Sequence, residues 1–184
     1  MQNKTTTLPN IYIIEPRVFE DQRGFFFESY NKSKFTELGI ECDFVQDNHS
    51  KSVKGTLRGL HYQLKFPQAK LCRVTQGEIL DVAVDIRSGS PTFGKWISVI
   101  LSAENKKQIF VPRGFAHGFL VLSDTAEFIY KCDEFYHPED ECGIIWNDPS
   151  LNINWEITKP VLSSKDQGFP ALAAIPKESL PSFA

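Results

Sequence analysis

Short stretches in which apolar and polar residues alternate run through most of the chain, and they predict a protein built from β-strands. Side chains two positions apart share one face of a strand, so alternation indicates a strand with one buried face. Gly, Pro and Asn residues divide these stretches at turn positions. The predicted strands are Ile11–Ile14, Gly24–Tyr30, Phe44–Ser52, Gly59–Leu64, Lys70–Gln76, Glu78–Ile86, Trp96–Ser102, Gln108–Val111, His117–Leu122 and Glu127–Asp133. Many short strands between such turns favour a sandwich or a barrel.

The clearest helix signal before residue 150 follows the second predicted strand. Asn31 can cap a helix through the stretch NKSKFTEL, and Gly39 stands just past its end. The tail from Ser163 to Ala184 contains three prolines, so we expect loops and short helical turns there. No internal repeat or long linker divides the chain. We therefore predict a single domain over residues 1–184, with a C-terminal extension from about residue 163.

The composition is that of an ordinary globular protein with an unusual number of phenylalanines. The 184 residues, of which 41% are hydrophobic and 23% charged, can form one domain with a proper core. Fifteen Phe favour a strand-rich core. A net charge of −3 and a pI of about 5.8 favour neither nucleic acid nor acidic membranes as partners. We therefore predict no nucleic-acid partner.

The sequence also predicts a cytoplasmic protein that does not associate with a membrane. No apolar run approaches the ~20 residues that a membrane helix needs. The N-terminus, MQNKTTTLPN, lacks the apolar region of a secretory signal. The four cysteines include no Cys-x-x-Cys pair, and two of them, Cys72 and Cys132, lie inside predicted strands. Small buried thiols in a reducing compartment are the expected interpretation.

Two histidines in predicted strands each follow an Arg-Gly turn. His61 follows Arg58-Gly59, and His117 follows Arg113-Gly114. A single histidine in a strand is more often a hydrogen-bonded structural residue than a catalytic one, but the repeated context favours a site. Alternation allows several polar side chains to face the lumen of one barrel. These side chains are His61, Gln63, Lys70, His117 and Tyr130. We predict that they converge on one cavity.

The pattern around the first histidine resembles a cupin-type metal site without its full set of ligands. Cupin barrels bind a metal through a His-x-His pair, a later Glu and a distant His. Gln63 stands at the second His position, and no Glu follows at ligand spacing. Asp81 or Asp85 can in principle add an oxygen to the two histidine nitrogens, but Lys70 would repel a cation. We predict proton chemistry on a bound anion, with no metal and no other cofactor.

Several of these residues also have plain structural interpretations. Lys70 suits a solvated strand end, and Tyr130 suits a core position with its hydroxyl on a backbone carbonyl. Arg23 and Glu28 suit an exposed charged pair, and Phe26 suits the core. The stretch QDNHS, residues 46–50, suits an exposed polar strand or loop. Their joint occurrence is what favours a site.

Motifs along nearly the whole chain resemble the dTDP-4-dehydrorhamnose 3,5-epimerase family. They are PRVFEDQRGFFFE from residue 16, QDNHS from 46, GTLRGLHYQ from 55, AKLCRV from 69, PRGFAHGF from 112, YKC from 130, WNDP from 146 and LSSKD from 162. The resemblance implies an all-β, cupin-like jelly-roll β-barrel with a few short helices that works without a metal. It also implies a homodimer that exchanges N-terminal strands.

The resemblance assigns catalytic roles by position in this sequence. It implies that His61 is the general base and that the carboxylate of Asp166 orients it. Tyr130 matches the general acid on the other side of the sugar ring. Lys70 is the expected donor to the enolate oxygen, where negative charge develops, and His117 can support the same region.

The resemblance also implies contacts with the nucleotide. Arg58 matches a contact to the diphosphate. Phe26 and Tyr136 can stack on thymine, whereas other positions match further substrate contacts. These other positions are Arg23, Glu28, Gln46, Asn48, Glu141 and Lys165. Three positions depart from the family pattern: Phe135 replaces the first of two adjacent tyrosines, and Asp133-Glu134 replaces a Thr-Asp pair.

The expected reaction is inversion of dTDP-4-dehydro-6-deoxy-α-D-glucose at C3 and C5, in dTDP-L-rhamnose biosynthesis. One alternative is a related enzyme that inverts only C3 or only C5 of a dTDP-4-keto-6-deoxyhexose, for another deoxysugar. Two alternatives belong to other classes. They are a metal-dependent cupin oxygenase and a catalytically silent module that binds a nucleotide sugar.

Overall fold

The computed structural model describes residues 2–183, and strands account for most of its regular structure. The strands are β1 (Gln2–Thr5), β2 (Tyr12–Glu15), β3 (Phe19–Asp21), β4 (Gly24–Phe26), β5 (Gln46–Val53), β6 (Leu57–Gln63), β7 (Lys70–Gln76), β8 (Glu78–Asp85), β9 (Trp96–Ser102), β10 (Gln108–Val111), β11 (Phe115–Val121), β12 (Thr125–Cys132) and β13 (Glu141–Gly143). The helices are α1 (Lys32–Glu37), α2 (Ser164–Gln167) and three 3-10 turns at Pro138–Asp140, Leu172–Ala174 and Lys177–Ser179.

Two antiparallel sheets face each other as a jelly roll. The six-stranded sheet has the order β1-β2-β10-β7-β12-β5, and the five-stranded sheet has the order β13-β6-β11-β8-β9. Strands β3 and β4 form a separate hairpin. The predicted all-β, cupin-like jelly-roll fold is confirmed. Within the part of the chain described, no helix is long and apolar enough to cross a membrane.

Strand β8 is buried on both faces. Val82 and Val84 belong to an apolar cluster on the outer side of the five-stranded sheet, whereas Ile79 and Ala83 belong to the cluster inside the barrel. The face that carries Val82 and Val84 is the outer one. The C-terminal segment buries that face, through residues that include Leu151, Trp155, Leu172 and Leu180. Burial of both faces fits a strand in which five of the eight residues are apolar.

Helix α1 covers part of the outer face of the six-stranded sheet. Asn31 caps it as predicted, since the Asn31 side chain accepts a hydrogen bond of 3.3 Å from the Lys34 amide. Phe35 is the buried residue of the helix and packs with Ile14 and Phe110 of the sheet. One aromatic side chain therefore ties this six-residue helix to the barrel.

The structure differs from the predicted elements mainly near the N-terminus. Of the predicted strand Gly24–Tyr30, only Gly24–Phe26 forms a strand. This strand, β4, pairs with β3 and joins neither of the two large sheets. Strands β1, β3 and β13 were not predicted. The polar sequence QNKT of β1 has no apolar alternation, and it is a strand because each of its residues pairs with β2.

Candidate active site

A cavity of about 310 Å³ opens between the two sheets. Its walls are polar and aromatic, and they come from β5, β7 and β12 on one side and β6 and β11 on the other. The lining residues are Gln46, Asn48, Ser50, Arg58, His61, Gln68, Lys70, His117, Gly118, Phe119, Phe128, Tyr130, Tyr136 and Glu141. Of the side chains predicted to converge in the lumen, Gln63 alone does not line this cavity, which corrects that part of the prediction.

A histidine–aspartate pair lies at one wall of the cavity. His61 Nε2 lies 2.6 Å from Asp166 Oδ1, although 105 positions separate the two residues in the sequence. Asp166 is in the first turn of α2, where its amide donates to the Ser163 hydroxyl at 3.0 Å. The ring of Phe169 packs edge-on against the imidazole, with centroids 5.6 Å apart. This packing and the hydrogen bond to Asp166 both restrict the orientation of the His61 ring.

The pair leaves one ring nitrogen of His61 available to a substrate. A carboxylate only accepts, so Nε2 carries the hydrogen and Nδ1 has the lone pair. Burial raises the pKa of Asp166, but hydrogen bonds from His61, Ser163 and the Gly59 amide outweigh burial and leave that pKa lowered. Asp166 therefore stays ionised at neutral pH and keeps the imidazole in this tautomer.

A second histidine–carboxylate pair lies deeper in the barrel. His117 stands directly opposite His61 on the neighbouring strand, and its Nε2 lies 2.9 Å from both carboxylate oxygens of Asp81. Both side chains are buried. From the sequence alone, Asp81 was considered only as a possible metal ligand. Asp81 shares a strand face with Ile79 and Ala83, which lie inside the barrel. This shared face is the signal that could have predicted a contact between Asp81 and a lumen histidine.

Tyr130 and Lys70 reach the cavity from the six-stranded sheet. Tyr130 pairs across strands with Cys72, and Lys70 Nζ lies 6.0 Å from the centroid of the Tyr130 ring. Phe128 flanks the same ring at 5.4 Å. Burial raises the pKa of Tyr130 well above its ordinary value, so the phenol keeps its proton at neutral pH.

Polar side chains continue the cavity towards its mouth. The Arg58 guanidinium donates two hydrogen bonds, of 3.2 and 3.1 Å, to the Ser52 hydroxyl. Gln46 Nε2 donates to Asn48 Oδ1 at 3.0 Å, and Gln46 Oε1 accepts from the Tyr136 amide at 2.9 Å. A fixed cation and a row of amides suit a ligand with phosphate oxygens and a base.

Glu141 links the mouth of the cavity to the His61 pair. One of its carboxylate oxygens accepts hydrogen bonds from the Tyr136 hydroxyl and Lys165 Nζ, and the other lies 3.9 Å from His61 Nε2. The hydrogen bond from the Tyr136 hydroxyl to Glu141 raises the pKa of Tyr136 to about 12. Burial raises the pKa of Glu141, but Lys165, Tyr136 and His61 outweigh it and leave that pKa lowered.

Three predicted substrate contacts lie away from this cavity in the same chain. Arg23 forms an exposed ion pair with Asp21 at 2.6 Å. Phe26 is 70% exposed on the β3–β4 hairpin, and Glu28 pairs with Lys34 at 2.7 Å. A single chain therefore does not bring these three side chains to the His61 pair.

His61 pairs with Asp166 and His117 pairs with Asp81, so the two histidines do not share one carboxylate or one centre. Among residues 2–183, no group of three or more His, Cys, Asp and Glu side chains is arranged to hold a metal ion. Gln63, at the position of the second cupin histidine, forms hydrogen bonds with loop backbone instead.

Known proteins resemble the chain in both sequence and structure. A family model described as dTDP-4-dehydrorhamnose 3,5-epimerase matches residues 5–174. A dTDP-4-dehydrorhamnose 3,5-epimerase from Shigella flexneri is 60% identical over 163 residues, which are 88% of this chain and 90% of that protein. The crystal structure of a dTDP-6-deoxy-D-glucose-3,5-epimerase from Legionella pneumophila, in complex with dTDP-4-keto-L-rhamnose, has a TM-score of 0.97. It is 52% identical and covers 100% of this chain and 98% of its own.

A third relative is named as an epimerase of a single position. The structure of a 3′-monoepimerase from Streptomyces bikiniensis, in complex with dTDP-quinovose, is 34% identical with a TM-score of 0.90. It covers 96% of this chain and 91% of its own.

Fold, cavity and relatives together define the class of this protein, which is a cupin-like carbohydrate epimerase and therefore an isomerase. The family model matches residues 5–174, and the relatives from Shigella flexneri and Legionella pneumophila are both more than 50% identical to this chain. These matches establish the family. The chain belongs to the dTDP-4-dehydrorhamnose 3,5-epimerase family, as its motifs predicted.

Proposed function

We propose that the protein inverts C3 and C5 of dTDP-4-dehydro-6-deoxy-α-D-glucose and so produces dTDP-4-dehydro-β-L-rhamnose for dTDP-L-rhamnose biosynthesis. The observation that carries this proposal is the arrangement of His61, Asp166 and Tyr130. The paired base and the protonated phenol line one cavity from opposite sheets. Inversion needs this arrangement, because one group removes a proton from one face of the sugar and another returns a proton to the other face.

His61 acts as the general base in this proposal. Its free Nδ1 takes the proton from the carbon beside the C4 ketone, and the electrons of that C–H bond move into an enolate. The imidazolium that forms is stabilised by Asp166, which stays ionised because its pKa is lowered. The same ketone acidifies both C3 and C5, so one base serves both positions if the sugar re-seats between the steps.

Tyr130 returns the proton, and Lys70 stabilises the intermediate. The Tyr130 hydroxyl gives its proton to the enolate carbon on the opposite face and becomes a phenolate, which solvent reprotonates. Lys70 provides a fixed positive charge for the enolate oxygen, and His117 supports the same region. His61 then loses its proton to solvent, which returns the enzyme to its starting state.

The nucleotide lies towards the mouth of the cavity in this proposal. Arg58 contacts the diphosphate, and Tyr136 stacks on thymine. Further contacts to the substrate come from Gln46, Asn48, Glu141 and Lys165.

The protein is a homodimer in this proposal, and the two chains exchange N-terminal strands. The β3–β4 hairpin is exposed on every residue and carries Phe19, Phe25 and Phe26, which are 52%, 60% and 70% exposed. Exposed apolar patches of this kind mark interaction surfaces. Exchange brings Arg23, Phe26 and Glu28 of one chain to the cavity of its partner. A cytoplasmic location, with the four free cysteines reduced, completes the proposal.

Solvent exchange tests the reaction directly. The enzyme is incubated with dTDP-4-dehydro-6-deoxyglucose in deuterated water without a downstream reductase, and deuterium at C3 and C5 is counted by NMR. Deuterium and inversion at both carbons are expected. The variant His61→Asn should incorporate none while it still binds dTDP. Unchanged turnover of this variant would refute the assigned base.

A single epimerase is the second candidate, favoured by the likeness to the 3′-monoepimerase. Inversion of only one carbon in the same experiment would identify it. The two candidates share the same base and acid, so the way the sugar is seated decides between them.

Mixed dimers test the strand exchange. The variants His61→Asn and Arg23→Ala are each purified as inactive or weakened homodimers, then dissociated and reassociated together. If the hairpin crosses to its partner, each mixed dimer contains one intact site, made by His61 of one chain and Arg23 of the other. Activity should then reappear. No recovery, with mixed dimers shown by mass spectrometry, would mean that each site is built from one chain.

A further inference from the structure

Two loops beside the cavity form a continuous structure, which we call the entrance wall. It consists of residues 64–69, between β6 and β7, and residues 133–140, between β12 and β13. The second loop carries Tyr136, and both loops contribute lining residues to the mouth of the cavity. A loop that carries a ligand contact is ordinarily mobile, and ordering it on binding costs affinity.

The buried side chain of Gln63 joins the two loops at their centre. Its Nε2 donates to the carbonyl oxygens of Phe66 at 2.6 Å and Phe135 at 3.2 Å, one in each loop. Its Oε1 accepts from the His137 amide at 2.8 Å. The bonds to residues 135 and 137 fix the backbone on both sides of Tyr136. Only 5% of Gln63 is exposed, so water cannot replace these partners.

Further contacts join the loops on either side of Gln63. Asp140, also buried, accepts from the amides of Lys65 and Phe66 at 2.8 and 2.9 Å. The rings of Phe66 and His137 stack with centroids 4.0 Å apart. The entrance wall is therefore held by side chains along its whole length.

Asp133 and Glu134, two positions at which this chain departs from the family pattern, contribute to the same wall. Asp133 accepts from the Ala69 amide at 2.6 Å, and the Glu134 carbonyl accepts from Gln68 at 2.8 Å. Arg113 pairs with the other oxygen of Asp133 at 2.8 Å.

The Tyr136 ring remains open to solvent although its backbone is fixed. The residue is 48% exposed, its hydroxyl is bonded to Glu141, and its amide is bonded to Gln46. An aromatic face held in place and left uncovered is preorganised for a flat ligand group.

We propose that Gln63 is a positioning residue for nucleotide binding, which holds the entrance wall so that Tyr136 faces the thymine site before the ligand arrives. The inference rests on the proposed function, because it takes the dTDP portion as the ligand of Tyr136. Gln63 itself makes no contact with the reacting part of the sugar in this assignment. It differs from His61, two residues earlier on β6, which faces the lumen and the reacting carbons.

The experiment measures dTDP affinity by calorimetry and steady-state kinetics on the dTDP-sugar for the full-length variant Gln63→Ala. We expect Kd for dTDP and KM to rise about 3- to 10-fold, the effect of having to order one or two side chains on binding. The value of kcat should stay close to wild type, because the His61–Asp166 bond does not involve Gln63. Hydrogen exchange should accelerate in residues 133–140 and stay unchanged in β11.

Two further variants separate positioning from loss of stability. Asp140→Asn weakens the same wall from its other end and should shift KM in the same direction. Asp148→Asn is the matched control. Asp148 is a buried carboxylate in the C-terminal segment that accepts from the amides of Ser150, Leu151 and Leu172. It should lower stability without changing dTDP affinity.

Each outcome separates this inference from the proposed function. Wild-type affinity in a folded Gln63→Ala variant would overturn the positioning role, and so would an equal loss in Asp148→Asn. If Gln63→Ala does not fold, Asp140→Asn decides, and unchanged KM there would also overturn it. Failure of the wild-type protein to bind dTDP would instead remove the proposed function.

Discussion

Replacement of Asp166 by asparagine removes one charge from the candidate site and almost no volume. The carboxylate accepts a 2.6 Å hydrogen bond from His61, and its side chain is only 5% exposed. The Asp166 backbone amide, bonded to Ser163, is unaffected by the change. Asp166→Asn therefore keeps the cap of α2, and the imidazolium that the proposed mechanism forms at His61 loses its charged partner.

The size of the effect follows from the kind of hydrogen bond lost. A hydrogen bond between charged groups contributes about 1.5–3 kcal/mol, and this stabilisation belongs to the state in which His61 carries the proton. We therefore expect proton abstraction to slow by about 10- to 100-fold. The loss becomes larger if the new amide donates to Nε2, because Nδ1 then holds the hydrogen and cannot accept one.

The assay follows the initial rate at which solvent deuterium enters C3 and C5 under saturating substrate, together with dTDP affinity. The rate should fall at both carbons, and dTDP affinity should be retained, because the proposed mechanism gives Asp166 a partner in His61 and no contact with the nucleotide. Asp148→Asn again provides a buried carboxylate control and should exchange at the wild-type rate. A wild-type exchange rate in Asp166→Asn would show that the carboxylate does not assist the base.

Three other variants test the acid, a buried ion pair and a close strand contact. Tyr130→Phe should lose inversion but retain deuterium exchange on one face, which NMR of the recovered substrate would reveal. Arg87 Nη2 lies 2.7 Å from Asp85 Oδ2, and the Arg87 side chain is only 12% exposed. Asp85→Asn should lower the urea-unfolding free energy at pH 7 by about 3–5 kcal/mol, because it leaves the charge of Arg87 largely buried and without its carboxylate partner. The folded pKa of Asp85 is lowered, with its interactions outweighing burial, so the difference should shrink as pH falls below 3.8. Gly118→Ala should destabilise the barrel, since the added Cβ would lie 2.6 Å from the Arg58 carbonyl oxygen; thermal unfolding would show a lower midpoint.

Alternation predicted the fold well where a strand has one polar and one apolar face. It placed His61, Lys70, His117 and Tyr130 on the lumen side, and the structure places all four on one cavity. It could not predict β1, because the residues of β1 become a strand only through their pairing with β2. Strand pairing depends on the rest of the sheet, and a sequence such as QNKT has no pattern that predicts it.

The long-range parts of the site could not be derived from alternation either. Asp166 came only from the resemblance to a family, since nothing in the spacing relates it to His61. Gln63 was grouped with the lumen residues because it shares a face with His61, but it ends β6 at the point where the entrance wall begins. The loops that follow a strand determine the partners of the side chain at its last residue. Alternation of apolar and polar residues does not predict the conformation of those loops.

Strand β6 explains why residues so far apart meet reliably. Its outward residues Leu57, Leu60 and Tyr62 are buried beneath the C-terminal segment, and the Tyr62 hydroxyl donates to the Ser179 carbonyl at 3.1 Å. The same segment contains α2, so the apolar contacts that cover one face of β6 also bring Asp166 to His61 on the strand. The stability of the fold and the orientation of the His61 ring therefore depend on one set of contacts. A change that moves α2 away from β6 should reduce both, because α2 carries the carboxylate that orients the imidazole.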